Sequence, residues 1–445
     1  MHPSVHSYLS PDKYPFSLEF LPNDACMVGG AVRDALLGRT REYLDLDFVV
    51  PSKAVQIARK IAKHYKAGFV LLDKERQIAR VVFPHATADF ALQEGESLET
   101  DLQRRDFTIN AIAYNPHSQE IIDPLQGCAD LKKGILRMVS PSNLQDDPLR
   151  LLRGYRQAAQ LGFAIAPETR NTIRELAPLL SNIAAERVRV ELAYLLGSPA
   201  GTPWLTVAWD DGILPWVLHD DITVENLALL AAIDRATVTL SETWPQLSVE
   251  LSSQIPGLAA DSKRTLAAVA KLTALLIPKP WFTEIPAEFE SYPDVNYTRG
   301  EIKVENSPLE AFLRRMTYSV PEMRAVHTIL NFLPQIQENS PSVRQQYFFF
   351  REVGAVFPAL VVVAVAMGTP LETITPLITR YLNPQDIVAH PKPLVTGKEL
   401  MQALELPSSP TIGKLLAEIA IAQIEGKIST PQEAIKFSSQ TLDTL

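Results

Sequence analysis

Two aspartates one residue apart, Asp45 and Asp47 in the run Leu44-Asp45-Leu46-Asp47-Phe48, open the chemical reading of this chain. In a strand successive side chains alternate faces, so Leu44, Leu46 and Phe48 turn to a core while both carboxylates share the other face. Their Cα atoms then lie ~7 Å apart, and both side chains can converge on metal ions spaced about 3.5–4 Å. Two like charges side by side are costly unless a cation neutralises them. For an isolated Asp-X-Asp a solvated edge strand would explain the pattern equally well. Here the motif follows, by one helix, a strand that ends in Gly29-Gly30 and runs into Ala31-Val32-Arg33-Asp34. Such a turn lets backbone N–H groups approach a phosphate, with the helix N-terminus favouring negative charge. A glycine pair by itself is more often only a turn. Arg33, suited to bidentate phosphate contact, tips the balance toward a metal-dependent phosphate site.

Two further groups extend the site. Asp89, in Ala88-Asp89-Phe90 on a later strand, is a candidate third carboxylate. The run Arg104-Arg105-Asp106-Phe107-Thr108-Ile109-Asn110-Ala111 carries two readings. Asp106 caps a helix beside solvated arginines, or Arg105 meets a triphosphate and Asn110 a ribose or base. Composition alone does not choose between them.

These residues need a scaffold, and the hydrophobic pattern supplies a mixed α/β one from Ala25 to about residue 140. The spacing predicts strands over CMV, EYLDLDFVV, GFVLLD, ARVVF, TADFAL and a last short one at ILRMV. An amphipathic helix covers AVQIARKIAKHY, with Ala54, Ile57, Ile61 and Ala62 on one side. From Asp146 the chain turns helical, through DPLRLLRGYRQAAQLGF, ETRNTIRELAPLL, AAERVRVELAYLLG and VENLALLAAIDRA. The expected domains are a head over 1–140, a helical neck over 141–200, a helical body over 201–390 and a helical tail over 391–445. An irregular insertion rich in Pro, Tyr, Glu and Asn falls near 278–308.

At 445 residues the chain exceeds one ordinary core. A formal charge of −9 argues against indiscriminate nucleic-acid binding and requires any phosphate contacts to come from a local basic face. Arginines do cluster in the first half: Arg104 and Arg105, then Arg150, Arg153 and Arg156, then Arg187 and Arg189. Cys26 and Cys128 supply neither a disulfide framework nor zinc-site spacing. No secretory signal is visible, and the longest apolar run, Phe357 to Met367, is far short of a bilayer span. A reducing cytoplasm fits best, with no membrane partner.

Taken in order, VGGAVRDALLGR, DLDFV, RRDFTINAIA, DPLQGCADL and DDPLRLLRGYRQAAQLGF resemble the successive motifs of bacterial-type (class II) CCA-adding enzymes and bacterial poly(A) polymerases. The likeness runs from Ala25 to about Leu196, and the tail from Val395 to Phe437 is also similar to the C-terminal region of such enzymes. It implies a nucleotidyltransferase palm, a mixed β-sheet with helices, followed by an elongated all-α neck, body and tail. It implies CMP or AMP transfer from CTP or ATP to a tRNA 3′ end, without a nucleic-acid template and with release of pyrophosphate. Asp45 and Asp47 would hold two Mg²⁺, and Gly30 with Arg33 would contact the triphosphate. Arg105, Asp106 and Asn110 would hold the sugar and link head to neck.

The neck motif Asp146-Asp147-Pro148-Leu149-Arg150 has Asp where the family usually has Glu. By resemblance, Asp147 and Arg150 present their side chains to the Watson–Crick edge of the incoming base. Arg153 and Arg156 follow at three-residue steps, each drifting about 60° along a common flank of the helix. Asp147 before Pro148 is also a favourable helix N-cap, and both roles remain open. Glu186 and Arg187 resemble a family helix that braces the neck and are expected to be structural.

Between Asp89 and Arg105 lies only FALQEGESLETDLQR, where most CCA-adding enzymes carry a longer flexible loop. The short form is similar to CC-adding specialists and favours CC addition over full CCA addition. A poly(A) polymerase is the less favoured member, because Pro11 to Leu21 is aromatic and acidic rather than basic. A catalytically silent RNA-binding relative is disfavoured by intact Asp45 and Asp47, and a small-molecule transferase by the long helical body. His219-Asp220 lacks the companions of an HD phosphohydrolase and is expected to be a surface turn. Oligomeric state is not legible.

Overall fold

The computed structural model describes residues 9–39, 43–218, 222–258, 264–282, 308–337 and 341–442. The chain forms two compact units, Met1–Val217 and Leu218–Leu445. His219-Asp220 and most of the expected insertion near 278–308 lie outside the described residues.

The first unit is built on a seven-stranded sheet. Its strands are β1 (Cys26–Val28), β2 (Leu44–Val50), β3 (Gly68–Asp73), β4 (Ile78–Phe83), β5 (Ala86–Leu92), β6 (Ala113–Asn115) and β7 (Glu120–Ile122), in the order β3-β4-β5-β2-β1-β6-β7. β2 and β5 run parallel and the other pairs antiparallel, so the sheet is mixed. Around it lie α1 (Gly30–Leu36), α2 (Ala54–Tyr65), α3 (Leu98–Gln103) and α4 (Gly127–Lys133). Alternation in β2 works as the pattern predicts: Leu46 and Phe48 are buried while Asp45 is exposed. Phe48 stacks on Phe90 of β5 at 5.5 Å, and Phe16 wedges against both rings at 5.7 and 5.8 Å. This aromatic cluster anchors the two strands that carry the carboxylates. On α2 the buried set is Ala54, Ala58, Ile61 and Ala62, so Ala58 rather than Ile57 completes the inner face.

Two strand expectations are corrected. ILRMV is not the last strand of the main sheet: only Ile135–Leu136 (β8) is extended, paired with Ala164–Ile165 (β9) in a separate two-stranded sheet. The hairpin β6–β7, which forms the sheet edge beside β1, was not foreseen. Its strands are three residues each, too short for alternation to register.

Six helices complete the first unit: α5 (Pro141–Asp146), α6 (Leu149–Leu161), α7 (Pro167–Leu176), α8 (Ala185–Leu196), α9 (Gly201–Asp210) and α10 (Leu214–Val217). α6 packs against α8 and α9. Asp211 clips α6 to α7, accepting from the Tyr155 hydroxyl at 2.8 Å and from the Arg170 and Arg174 guanidinia.

The second unit is helical among its described residues: α11 (Val224–Thr243), α12 (Pro245–Leu251), α13 (Leu266–Leu276), α14 (Pro308–Arg315), α15 (Val320–Phe332), α16 (Val343–Val353), α17 (Phe357–Ala366), α18 (Leu371–Leu382), α19 (Gly397–Ala403), α20 (Pro410–Ile424) and α21 (Pro431–Leu442). α17 is apolar on every side because it is enclosed, packing on α11 and α13. α16 and α17, joined by a short turn at Gly354–Val356, together span Val343–Ala366, long and apolar enough to cross a membrane, but 67% of the most apolar stretch is buried inside the protein, as in core helices. The tail closes a small core of its own around Leu400, Leu415, Ile419 and Ala434.

Candidate active site

The carboxylates meet on one face of the sheet. Register sets Asp45 beside Thr87 and Asp47 beside Asp89, with Arg80 of β4 next to Asp89. The Thr87 hydroxyl donates to Asp45 Oδ1 at 2.6 Å. Burial, then the charges of Asp45 and Asp89, push the Asp47 carboxyl up to about 7. Negative charge is therefore crowded here in the way a divalent cation relieves.

Asp89 departs from the expected third metal carboxylate. Arg80 grips both of its oxygens, Nε to Oδ1 at 2.7 Å and Nη2 to Oδ2 at 2.8 Å. Among the described residues no three His, Cys, Asp or Glu side chains form a ready metal cage. Two carboxylates still suit Mg²⁺, which typically keeps several waters and takes one or two protein carboxylates plus substrate phosphates.

The glycine turn abuts these groups. Gly29 precedes α1 with φ +73° and ψ −137°, a conformation that favours glycine. A Cβ there would lie 3.4 Å from Asp47 Oδ2 and 3.7 Å from Arg105 Nη1. Gly30 begins α1.

Several residues expected to touch nucleotide are also engaged with one another. Arg33 bonds Asp34 at 2.9 Å and Asn110 Oδ1 at 2.8 Å, and reaches Gln157 at 3.4 Å. Asn110 in turn donates to Asp106 and to Gln157, both at 2.9 Å, so its amide is fully used. Asp106 is no helix cap. It lies buried, accepting from Asn110, from the Phe107 N–H at 2.8 Å and from Arg153 of α6 at 2.9 Å. Against its own desolvation, Arg153 and these hydrogen bonds hold its carboxyl down at about 2. Gln157, buried on α6, was not singled out from the sequence, where a lone Gln on a helix carries no signal; it belongs to this link between sheet and neck.

The three-residue steps on α6 also separate more than expected. Arg150 and Arg153 face a cavity of about 210 Å³ lined with Arg105, Asp106, Asp147 and Arg187. Arg156, two steps and about 120° further round, turns to α8, where it meets Glu191 at 2.5 Å and the Tyr194 ring. It is a brace between helices and not part of the cavity wall.

Of the two readings of Asp147, the capping one does not hold. Its side chain does not cap α6; its backbone carbonyl accepts the Arg150 N–H at 3.0 Å. Asp147 Oδ2 accepts from Arg187 at 2.9 Å, while Oδ1 is buried without a hydrogen-bond partner. Arg187, expected to be structural, thus lines the cavity, whereas Glu186 is exposed. Four arginines against two aspartates make this wall locally basic in a chain of charge −9.

Comparison with known proteins identifies related families along the chain. Residues 25–137 match the poly A polymerase head domain, 162–220 the probable RNA and SrmB-binding site of polymerase A, and 301–437 the putative tRNA nucleotidyltransferase domain 2. The chain is 50% identical over 431 residues to the CC-adding tRNA nucleotidyltransferase of Synechocystis sp., covering 96% of this chain and 95% of that one. It is 31% identical over 424 residues to the CC-adding tRNA nucleotidyltransferase of Geobacter sulfurreducens, covering 93% and 91%. Among solved structures, a CCA-adding enzyme in complex with CTP shares the fold at TM-score 0.64 and 20% identity, over 94% of this chain and 91% of that one. With such identity along nearly its whole length, and with paired aspartates set beside a basic cavity, this chain belongs to the tRNA nucleotidyltransferase family, enzymes that as a group depend on divalent metal ions.

Proposed function

We propose that this protein adds CMP to the 3′ end of tRNA in the cytoplasm and stops at CC, without a nucleic-acid template. The observation that carries the reading is Asp147. Asp147 lines a cavity together with Arg150, and its Oδ1 is buried without a hydrogen-bond partner, so this wall brings a carboxylate acceptor and a guanidinium donor together. Cytosine presents an N4 amino donor beside its N3 acceptor, and such a pair of side chains can read that edge in place of a template strand.

Asp45 and Asp47 would hold Mg²⁺, which when bound supplies charge neutralisation and activation of the attacking oxygen. The RNA 3′-hydroxyl attacks the α-phosphorus of CTP in line, and the bond to pyrophosphate breaks. Arg105 would meet the triphosphate, a role supported by its guanidinium standing by Gly29 and by its place in the cavity lining. Thr87 fixes the Asp45 carboxylate, and the Asp89–Arg80 pair flanks Asp47. Arg33, Asn110 and Gln157 tie neck to sheet, Arg153 and Asp106 do so while also lining the cavity, and Arg156 braces α6.

Restriction to CC rests on the segment after β5. Buried Asp101 accepts from both the Glu94 N–H and Arg105, closing the segment on itself. A segment tied in this way gives the cavity little freedom to reshape for a purine. The test is to offer tRNA lacking CCA with CTP alone, ATP alone and both, and to size the products. Two added nucleotides with CTP, unchanged by ATP, are expected. A third residue with both nucleotides would make it a full CCA-adding enzyme, long A tails a poly(A) polymerase, and no incorporation a silent relative.

A further inference from the structure

We propose that Asp101 is a positioning residue for nucleotide transfer, setting the Arg105 guanidinium between the glycine turn and the base cavity. The inference rests on the proposed function, in which Arg105 meets the triphosphate. Asp101 sits in α3, only 7% exposed. Its Oδ1 accepts from Arg105 Nη2 at 3.1 Å and its Oδ2 from the Glu94 N–H at 3.0 Å. One carboxylate thus joins the two ends of the segment that leads from β5 to Arg105.

The turn between them is tight. Gly95 has φ +86°, and a Cβ there would come within 2.5 Å of Thr100 Cγ2. Ser97 caps α3 by accepting the Thr100 N–H at 3.2 Å. With the segment closed in this way, Asp101 has little freedom and neither has its partner.

Arg105 itself spans the site. Nη1 stands against Gly29, Nε is buried without a hydrogen-bond partner, and the side chain lines the cavity with Asp147 and Arg150. A guanidinium helps a developing phosphate charge when its orientation is set in advance, because no reorganisation is then needed during reaction. An exposed ion pair would contribute little, whereas a buried carboxylate with both oxygens engaged determines where its partner points.

The experiment measures kcat and the KM for CTP in CMP incorporation into tRNA lacking CCA, with melting temperature in parallel. Asp101→Asn retains an acceptor for the Glu94 N–H but loses the charge that orients Arg105. The expected result is a KM for CTP raised about tenfold, with KM for tRNA near wild type and a lowered melting temperature, because a buried ion pair is broken. Combined with Arg105→Ala it should add nothing beyond Arg105→Ala alone, since both remove the same interaction. An unchanged KM for CTP, or effects that multiply in the double variant, would overturn the proposal. Should Asp101→Asn fail to fold, Asp101→Glu serves, keeping the charge but displacing it by one methylene; a wild-type KM there would likewise overturn it. Wild-type protein that incorporates no CMP would overturn the proposed function instead, whatever the variants do.

Discussion

Asp47 shows how much a single carboxylate takes from its neighbours. Burial, with Asp45 and Asp89 nearby, raises it to about 7, against about 4 for an ordinary Asp. In metal-free protein the folded state therefore keeps a proton that the unfolded chain has lost between those values. That stability is full below pH about 4 and is lost as pH rises through about 7. A cation must displace the same proton below about 7. The rise in melting temperature on adding Mg²⁺ should accordingly be larger at pH 8 than at pH 6, and Asp47→Asn should abolish the difference. Equal increments at both pH values in the wild type would count against metal binding by Asp47. The two neck arginines separate in a second experiment. Arg150→Ala should relax the choice among nucleoside triphosphates, with a stability loss of about 1 kcal/mol because its guanidinium also donates to the Arg104 and Asn143 carbonyls. Arg156→Ala leaves Glu191 buried and unpaired, which costs about 3 kcal/mol, and should leave nucleotide choice intact. Denaturant midpoints and misincorporation ratios for both variants check this contrast.

Elements matter here through their joints. α4 packs on the turn Thr108–Asn110, and a Cβ on Gly127 would fall 2.2 Å from the Thr108 carbonyl oxygen. Gly127→Ala must shift that turn, and with it Asn110, which ties Arg33, Asp106 and Gln157 together. A loss of about 1–3 kcal/mol is expected for such overpacking, together with reduced CMP incorporation although Gly127 has no proposed substrate contact. Wild-type stability and rate in this variant would show that the turn does not position the site. The same joint explains what was hard to read in the sequence. Asp106 and Asn110 looked equally like a cap and like nucleotide ligands, because their partners Arg153 and Gln157 lie 47 residues along the chain. By contrast α2 and α6 were legible, since their inner faces recur at helical spacing over 12 and 13 residues.

At the scale of the molecule, each unit depends on its own core. Phe357 is fully buried in the second unit, 4.4 Å from the Tyr381 ring and 5.4 Å from Phe350. Phe357→Ala should cost ~3–5 kcal/mol, read as a lowered denaturant midpoint; a midpoint within error of wild type would refute the core assignment. The charge of −9 is likewise partitioned and not uniform, with four arginines gathered at the cavity beside α6.

What the sequence alone determined was local. Period-two alternation placed Asp45 and Asp47 on one face opposite Leu46 and Phe48, and the motif order indicated the family. Both follow from short-range geometry, which neighbouring residues fully specify. Only the tertiary structure decided which polar groups face the cavity and which face each other. Asp89 went to Arg80, Arg33 to Asn110, Arg156 to Glu191, and Asp147 to Arg187. The reason is physical: a buried polar group takes whatever partner the packing brings within about 3 Å, and that partner is set by how elements dock, not by the residues beside it in the chain.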